Sequence, residues 1–109
     1  MPDLVHVTDN SFDGEVLKCD IPVLTEFLAF WSGPSHMMAA QLTQVATEYQ
    51  DRLKIVGVDI EANPTITSKY NVFNVPTFIL FKFGQEVARL TGVMSMAELL
   101  DQVTPFLDV

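Results

Sequence analysis

The sequence predicts an α/β protein with a mixed central sheet, a parallel βαβ half joined to an antiparallel hairpin half, and helices on both faces. Three observations carry this. Short apolar runs rich in β-branched and aromatic residues alternate with segments whose apolar positions recur at helical spacing, the order of a layered α/β domain. Two of the runs, "FILFKF" and "EVARLT", are joined by a turn at Gly84 and read as a hairpin. No repeat, low-complexity tract or linker interrupts the 109 residues. That length suits one domain, residues 1–109, burying roughly 65% of the surface its unfolded chain would expose.

Taken in order, "LVHV" at 4–7 reads as a short strand, and "TDNSF" offers N-cap residues for a first helix running through Leu17 and Lys18. The near-continuous apolar run 23–30 predicts a strand covered on both faces, hence a central one. Over 34–50, Met38, Leu42, Val45, Ala46 and Tyr49 share one helical face, with Ser32 or Gly33 as cap. "LKIVGVDI" at 53–60 is a second buried strand, and the strand-helix-strand unit implies a right-handed parallel crossover. "NPTITSKY" holds a short helix begun by Pro64. After the hairpin, Ser95 and Glu98 form a capping box for a last helix that aligns Leu99, Leu100, Val103, Phe106 and Leu107. The predicted order is β-α-β-α-β-α-β-β-α.

Composition narrows the function. Hydrophobic residues make up 49% and charged residues 18%, and no run of 18 apolar residues is present, so no membrane span is expected. The opening "MPDLVHVTDN" has neither the basic nor the apolar region of a secretory signal, which makes a cytoplasmic location the expectation. Six Lys and Arg against 14 Asp and Glu give a formal charge of −8, which repels nucleic acid and anionic membranes and favours proteins or small molecules as partners. A small acidic monomer is expected. The single cysteine, Cys19, excludes an internal disulfide and a thiolate-cluster metal site, and reads as a small packed hydrophobe. With only Cys19, His6 and His36 as soft ligands, no metal is expected. Met37, Met38, Met94 and Met96 read as packing.

The stretch "FWSGPSHMM", at the junction of the central strand and the long helix, is the most specific signal in the chain. Trp31-Ser32-Gly33-Pro34-Ser35 resembles the Trp-Cys-Gly-Pro-Cys signature of the thioredoxin family, with serine at both cysteine positions. "NVPT" at 74–77 resembles the family's Ile/Val-Pro-Thr, and "NP" at 63–64, "LFKFGQ" at 80–85 and Gly92 also fit, so the likeness covers essentially the whole chain. It implies the thioredoxin fold and a protein dithiol-disulfide oxidoreductase, with no dissociable cofactor. Its partners are disulfide-bearing client proteins and a thioredoxin reductase.

The resemblance also assigns roles. Position 32 is that of the nucleophilic cysteine, activated by the helix N-terminus, and position 35 that of the resolving cysteine. Serine cannot replace them, because a hydroxyl ionises far above a thiol and forms no exchangeable S–S bond. The expectation is a redox-inactive chain, an engineered double substitution rather than a natural one, since the rest of the site is retained. The alternative is a naturally cysteine-less binding or scaffold module acting by noncovalent contacts. A serine hydrolase is poorly supported: no His-Asp pair is placed to activate either serine, and "GPS" is not a G-x-S-x-G elbow.

Glu26 stands where the family has an acidic residue, usually Asp, that exchanges a proton with the second cysteine, and Gly57 stands where many relatives have Lys. A buried Glu26 without a cationic partner should have a raised pKa; the other reading is a strand-end carboxylate reaching water. The resemblance makes the bond before Pro76 cis, leaving Val75 free to pair with an extended peptide. Trp31 is expected partly exposed over the site, with Ile60, Val75, Pro76, Thr77, Gly92 and Val93 lining the client surface. Phe73 either enlarges this apolar patch or folds inward. His36 is expected to be solvated.

Overall fold

A computed structural model of the chain describes residues 4–107. Its strands are Val5–His6 (β1), Val23–Leu28 (β2), Lys54–Asp59 (β3), Thr77–Lys82 (β4) and Gln85–Thr91 (β5). The α-helices are Gly33–Glu48 (α1), Pro64–Lys69 (α2) and Met96–Val103 (α3). The strands form one sheet in the order β1-β3-β2-β4-β5. β3 pairs in parallel with β1 and β2, whereas β4 runs antiparallel to both β2 and β5. This is the thioredoxin fold in its mixed α/β form.

Strand periodicity divides the core in two. Alternate residues point to opposite faces, so Leu24, Ile55, Phe78 and Leu80 pack under α1 and α3 against Met38, Leu42, Val45, Leu99 and Val103. Their neighbours Val23, Phe27, Val56, Val58, Ile79 and Phe81 pack on the other face against Phe12, Val16 and Ile66. With helices on both faces, all six residues of β2 are buried, which is why that strand reads as an unbroken apolar run. Cys19 is half-buried at the margin of the second cluster. In the hairpin, Gly84 has φ +79°, and a Cβ there would lie 3.0 Å from the Leu17 carbonyl oxygen, so both backbone and space require glycine.

Several boundaries differ from expectation. β1 keeps only two of the four residues at 4–7, and β2 stops at Leu28, leaving Phe30 78% exposed. The expected first α-helix is a π-helical turn, Asp13–Leu17, whose leading residue Phe12 supplies no side-chain cap. The polar residues of "TDNSF" are used elsewhere. Thr8 and Ser11 bond each other's backbone N–H, and the Asp9 carboxylate accepts from Thr65 and Ile66 at the start of α2. The backbone N–H of Asp9 in turn donates to Asn63 Oδ1 at 2.9 Å, tying the first turn to α2. Finally, α3 ends at Val103 and a 3-10 turn, Thr104–Phe106, follows, since Pro105 lacks the N–H an α-helix needs there. Phe106 and Leu107 still pack on the α1/α3 core.

Candidate functional site

Sheet register brings four separate segments to one end of the molecule. Phe27 lies opposite Thr77, so the chain leaving β2 and the chain entering β4 emerge side by side. Asp59 lies opposite Leu28, and Ile60 N–H donates to the Leu28 carbonyl at 3.0 Å. Thr91 lies opposite Thr77, and Gly92 N–H donates to the Pro76 carbonyl at 2.8 Å. Residues 29–35, Ile60, Val75, Pro76, Thr77, Gly92 and Val93 therefore gather beyond the carboxyl ends of the parallel strands, where open α/β sheets place their ligands.

The start of α1 is built by its own sequence. Ser32 is extended (φ −95°, ψ 105°), and its Oγ accepts from the Ser35 N–H at 3.2 Å, the N-cap arrangement. Pro34 occupies the first turn, where its missing N–H costs nothing, and no acidic side chain sits there to offset the positive end of the helix dipole. Gly33 and Pro34 are exposed; Ser32 and Ser35 are buried. Among the described residues the Ser35 Oγ has no hydrogen-bond partner. Ser35 is also the first buried residue of the α1 stripe that faces the sheet.

Glu26 lies on that same sheet face, between Gly57 of β3 and Phe78 of β4. It is fully buried, and neither carboxyl oxygen has a partner among the described residues. Desolvation pushes its pKa up to about 8, so the group is mostly neutral at pH 7. A side chain at position 57 would enter a tight space: a Cβ on Gly57 would lie 3.1 Å from a Leu28 methyl and 3.5 Å from the His6 ring.

On the opposite side of the cleft the Val75–Pro76 peptide bond is cis. Pro76 is buried and Val75 half-buried, and among the described residues no hydrogen bond engages the Val75 backbone. Thr77 Oγ1 donates to the Asn74 carbonyl at 2.6 Å, bracing the loop. Around this cleft the surface is apolar: Trp31 is 68% exposed, Phe73 84% and Val93 53%, so Phe73 extends the patch and does not fold inward.

Phe30 and Met37 were not anticipated in this surface, yet both are exposed there. No local signal marks Phe30: the apolar run outlasts β2, and its last residue is left outside the core. His36 is exposed but not simply solvated. Its Nε2 donates to the Phe30 carbonyl at 2.8 Å, and the two rings meet edge to face with centroids 5.6 Å apart. His36 thereby fixes the Phe30 turn. Among the described residues no three His, Cys, Asp or Glu side chains are grouped to hold a metal, and no helix is long and apolar enough to cross a membrane.

Comparison with known proteins agrees with this geometry along the chain. The family model described as Thioredoxin matches residues 3–105. The thioredoxin of Acidithiobacillus ferridurans is 41% identical over 105 residues, covering 96% of this chain and 94% of its own. That of Pseudomonas aeruginosa is 43% identical over 96 residues, covering 88% and 89%. A bifunctional thioredoxin reductase/thioredoxin of Mycobacterium leprae is 40% identical over 96 residues, 88% of this chain and 21% of that longer protein. A matched stretch that runs from before β1 into the turn after α3, at this identity, settles the kinship: the chain belongs to the thioredoxin family.

Proposed function

We propose that this is a protein dithiol-disulfide oxidoreductase lacking both reactive sulfurs, a cytoplasmic monomer that is redox-inactive as it stands. One observation carries the reading: serine occupies both ends of the Gly-Pro turn that opens α1, at the sheet end where the Val75–Pro76 loop also lies. With cysteine in those places, a thiolate at 32, favoured by the helix dipole, attacks one sulfur of a client disulfide and expels the other as a client thiolate. The thiol at 35 gives up its proton and attacks the sulfur at 32. The intramolecular disulfide forms, the second client thiolate leaves, and two electrons have passed to the client. The ionised fraction of Glu26, the minority at pH 7, accepts the proton of residue 35. Val75 and Pro76 hold the client strand, while Trp31, Ile60, Thr77, Gly92 and Val93 line the surface it crosses. A thioredoxin reductase recharges the site; the Mycobacterium leprae relative carries both names in one chain.

The second reading, a naturally cysteine-less module that binds by noncovalent contacts, draws on the same exposed apolar end. The double variant Ser32→Cys/Ser35→Cys separates the two. Thiol release from a disulfide-linked peptide, driven by dithiothreitol, should turn over with the double variant and not with the chain as it stands. With dithiothreitol left out, a single Ser32→Cys variant should stop at a trapped mixed disulfide. A double variant that folds but stays inactive would favour the module, as would peptide mass mapping of the protein from its source cell that finds serine at 32 and 35.

A further inference from the structure

We infer that the outer edge of β5 and the flank of α3 form a docking groove for an extended, basic segment of a partner protein. This inference asks nothing of residues 32 and 35. The hydrogen bond from Gly92 N–H to the Pro76 carbonyl sets the phase of the β4·β5 ladder. In an antiparallel pair the bonded positions alternate. The pairs Phe78/Leu90 and Leu80/Ala88 therefore exchange bonds, and the N–H and C=O groups of Arg89 and Thr91 point away from the sheet. β5 is the last strand in the order, so no strand among the described residues meets them.

Sheet edges of this length are commonly blunted by Lys or Pro. β5 has neither, the irregularity of its ladder opposite Leu80 and Phe81 lies on the hairpin side of Arg89 and Thr91, and its one cation is turned aside. Arg89 donates to both carboxylate oxygens of Glu86 at 2.8 Å and to the carbonyls of Tyr70 (2.7 Å) and Asn71 (3.4 Å). Beside the open edge runs a groove of about 440 Å³, with Arg89, Thr91 and Val93 along the strand and Glu98, Asp101 and Gln102 along the helix. Glu98 uses only Oε1, on Ser95, and Asp101 has no partner among the described residues. The last turn of α3 carries no basic residue.

The groove thus offers backbone donors and acceptors on one wall and, among the described residues, carboxylates without a cationic partner on the other. An added strand with Lys or Arg at every second position satisfies both, because alternate side chains point the same way. A second copy of this chain satisfies only the first. Edge-to-edge pairing would bring two acidic walls and two chains of charge −8 together.

The test is an NMR titration of the ¹⁵N-labelled chain with an end-blocked ten-residue peptide of alternating Thr and Lys at low salt. The expected result is shift changes and slowed hydrogen exchange at the Arg89 and Thr91 amides. Asp101→Lys should weaken binding about fivefold. Thr91→Pro, which deletes an outward N–H and leaves the β4 side bonded, should abolish it; the Ala88 and Leu90 resonances report whether that variant is folded, and Asp101→Lys stands if it is not. The inference is overturned by an absence of change at millimolar peptide, by equal binding of the Thr-Glu analogue, or by changes confined to the Trp31 and Val75 end. Concentration-dependent changes on β5 without peptide would assign the edge to a second copy and overturn it too.

Discussion

Glu26 is the residue at which the fold and the proposed chemistry make opposite demands. A carboxyl buried between Gly57 and Phe78, with both oxygens unpartnered, weakens the native state whenever it is charged. Its pKa rises from 4.5 in the unfolded chain to about 8 in the fold. Between these values the unfolded chain has released a proton that the native chain still holds, so stability falls as pH rises through this window. The penalty is absent below pH 4.5 and complete above pH 8. At about 1.4 kcal/mol per pH unit it amounts to at most about 5 kcal/mol. Urea unfolding at pH 5, 6.5 and 8 should show this decline, and Glu26→Met, similar in length and uncharged, should be the more stable protein at pH 8 with the decline removed. A decline that survives in Glu26→Met would place its origin in another group.

At the scale of an element, the two serines of α1 are chemically alike and energetically different. Ser32 caps the helix through its Oγ, whereas the buried Ser35 Oγ bonds nothing. Ser32→Ala should therefore lose about 1 kcal/mol of stability. Ser35→Ala should be neutral or gain up to about 1 kcal/mol by removing an orphaned hydroxyl; equal losses in urea unfolding would contradict this assignment. The α1 cap, the capping box of α3, the β4–β5 hairpin and the buried strands β2 and β3 were legible because each is written in local sequence: a cap residue, a period, a turn glycine. What was not legible depended on distant contacts. Asp9 reads as a cap for the segment that follows it, but its bonds go to residues more than 50 positions away. The apolar run through Phe30 gives no sign that the strand ends at Leu28, since an exposed phenylalanine and a buried one are the same letter.

Across the whole molecule, the motif points to Ser32, Ser35, Glu26 and Pro76, but only sheet register shows that Ile60, Gly92 and Val93 arrive at the same end. Pairing partners are not contained in any local pattern, so the grouping of Ile60, Gly92 and Val93 was legible only through the resemblance. That apolar end is carried by a chain of charge −8, and the two features act at different ranges. Apolar contact acts only on touching, whereas the net charge acts over a Debye length, about 10 Å at 0.1 M salt. Charge should therefore govern how fast clients arrive and the apolar rim how long they stay. In the Ser32→Cys/Ser35→Cys protein, the second-order rate for reducing a basic disulfide peptide should fall as salt rises, and the rate for an acidic one should climb. Phe73→Ser should leave both salt slopes unchanged while weakening the encounter complex with either peptide, because it alters the rim and not the field. Stopped-flow rates over a salt series read both quantities. Salt slopes of one sign for the two peptides would show that client choice rests on the rim alone.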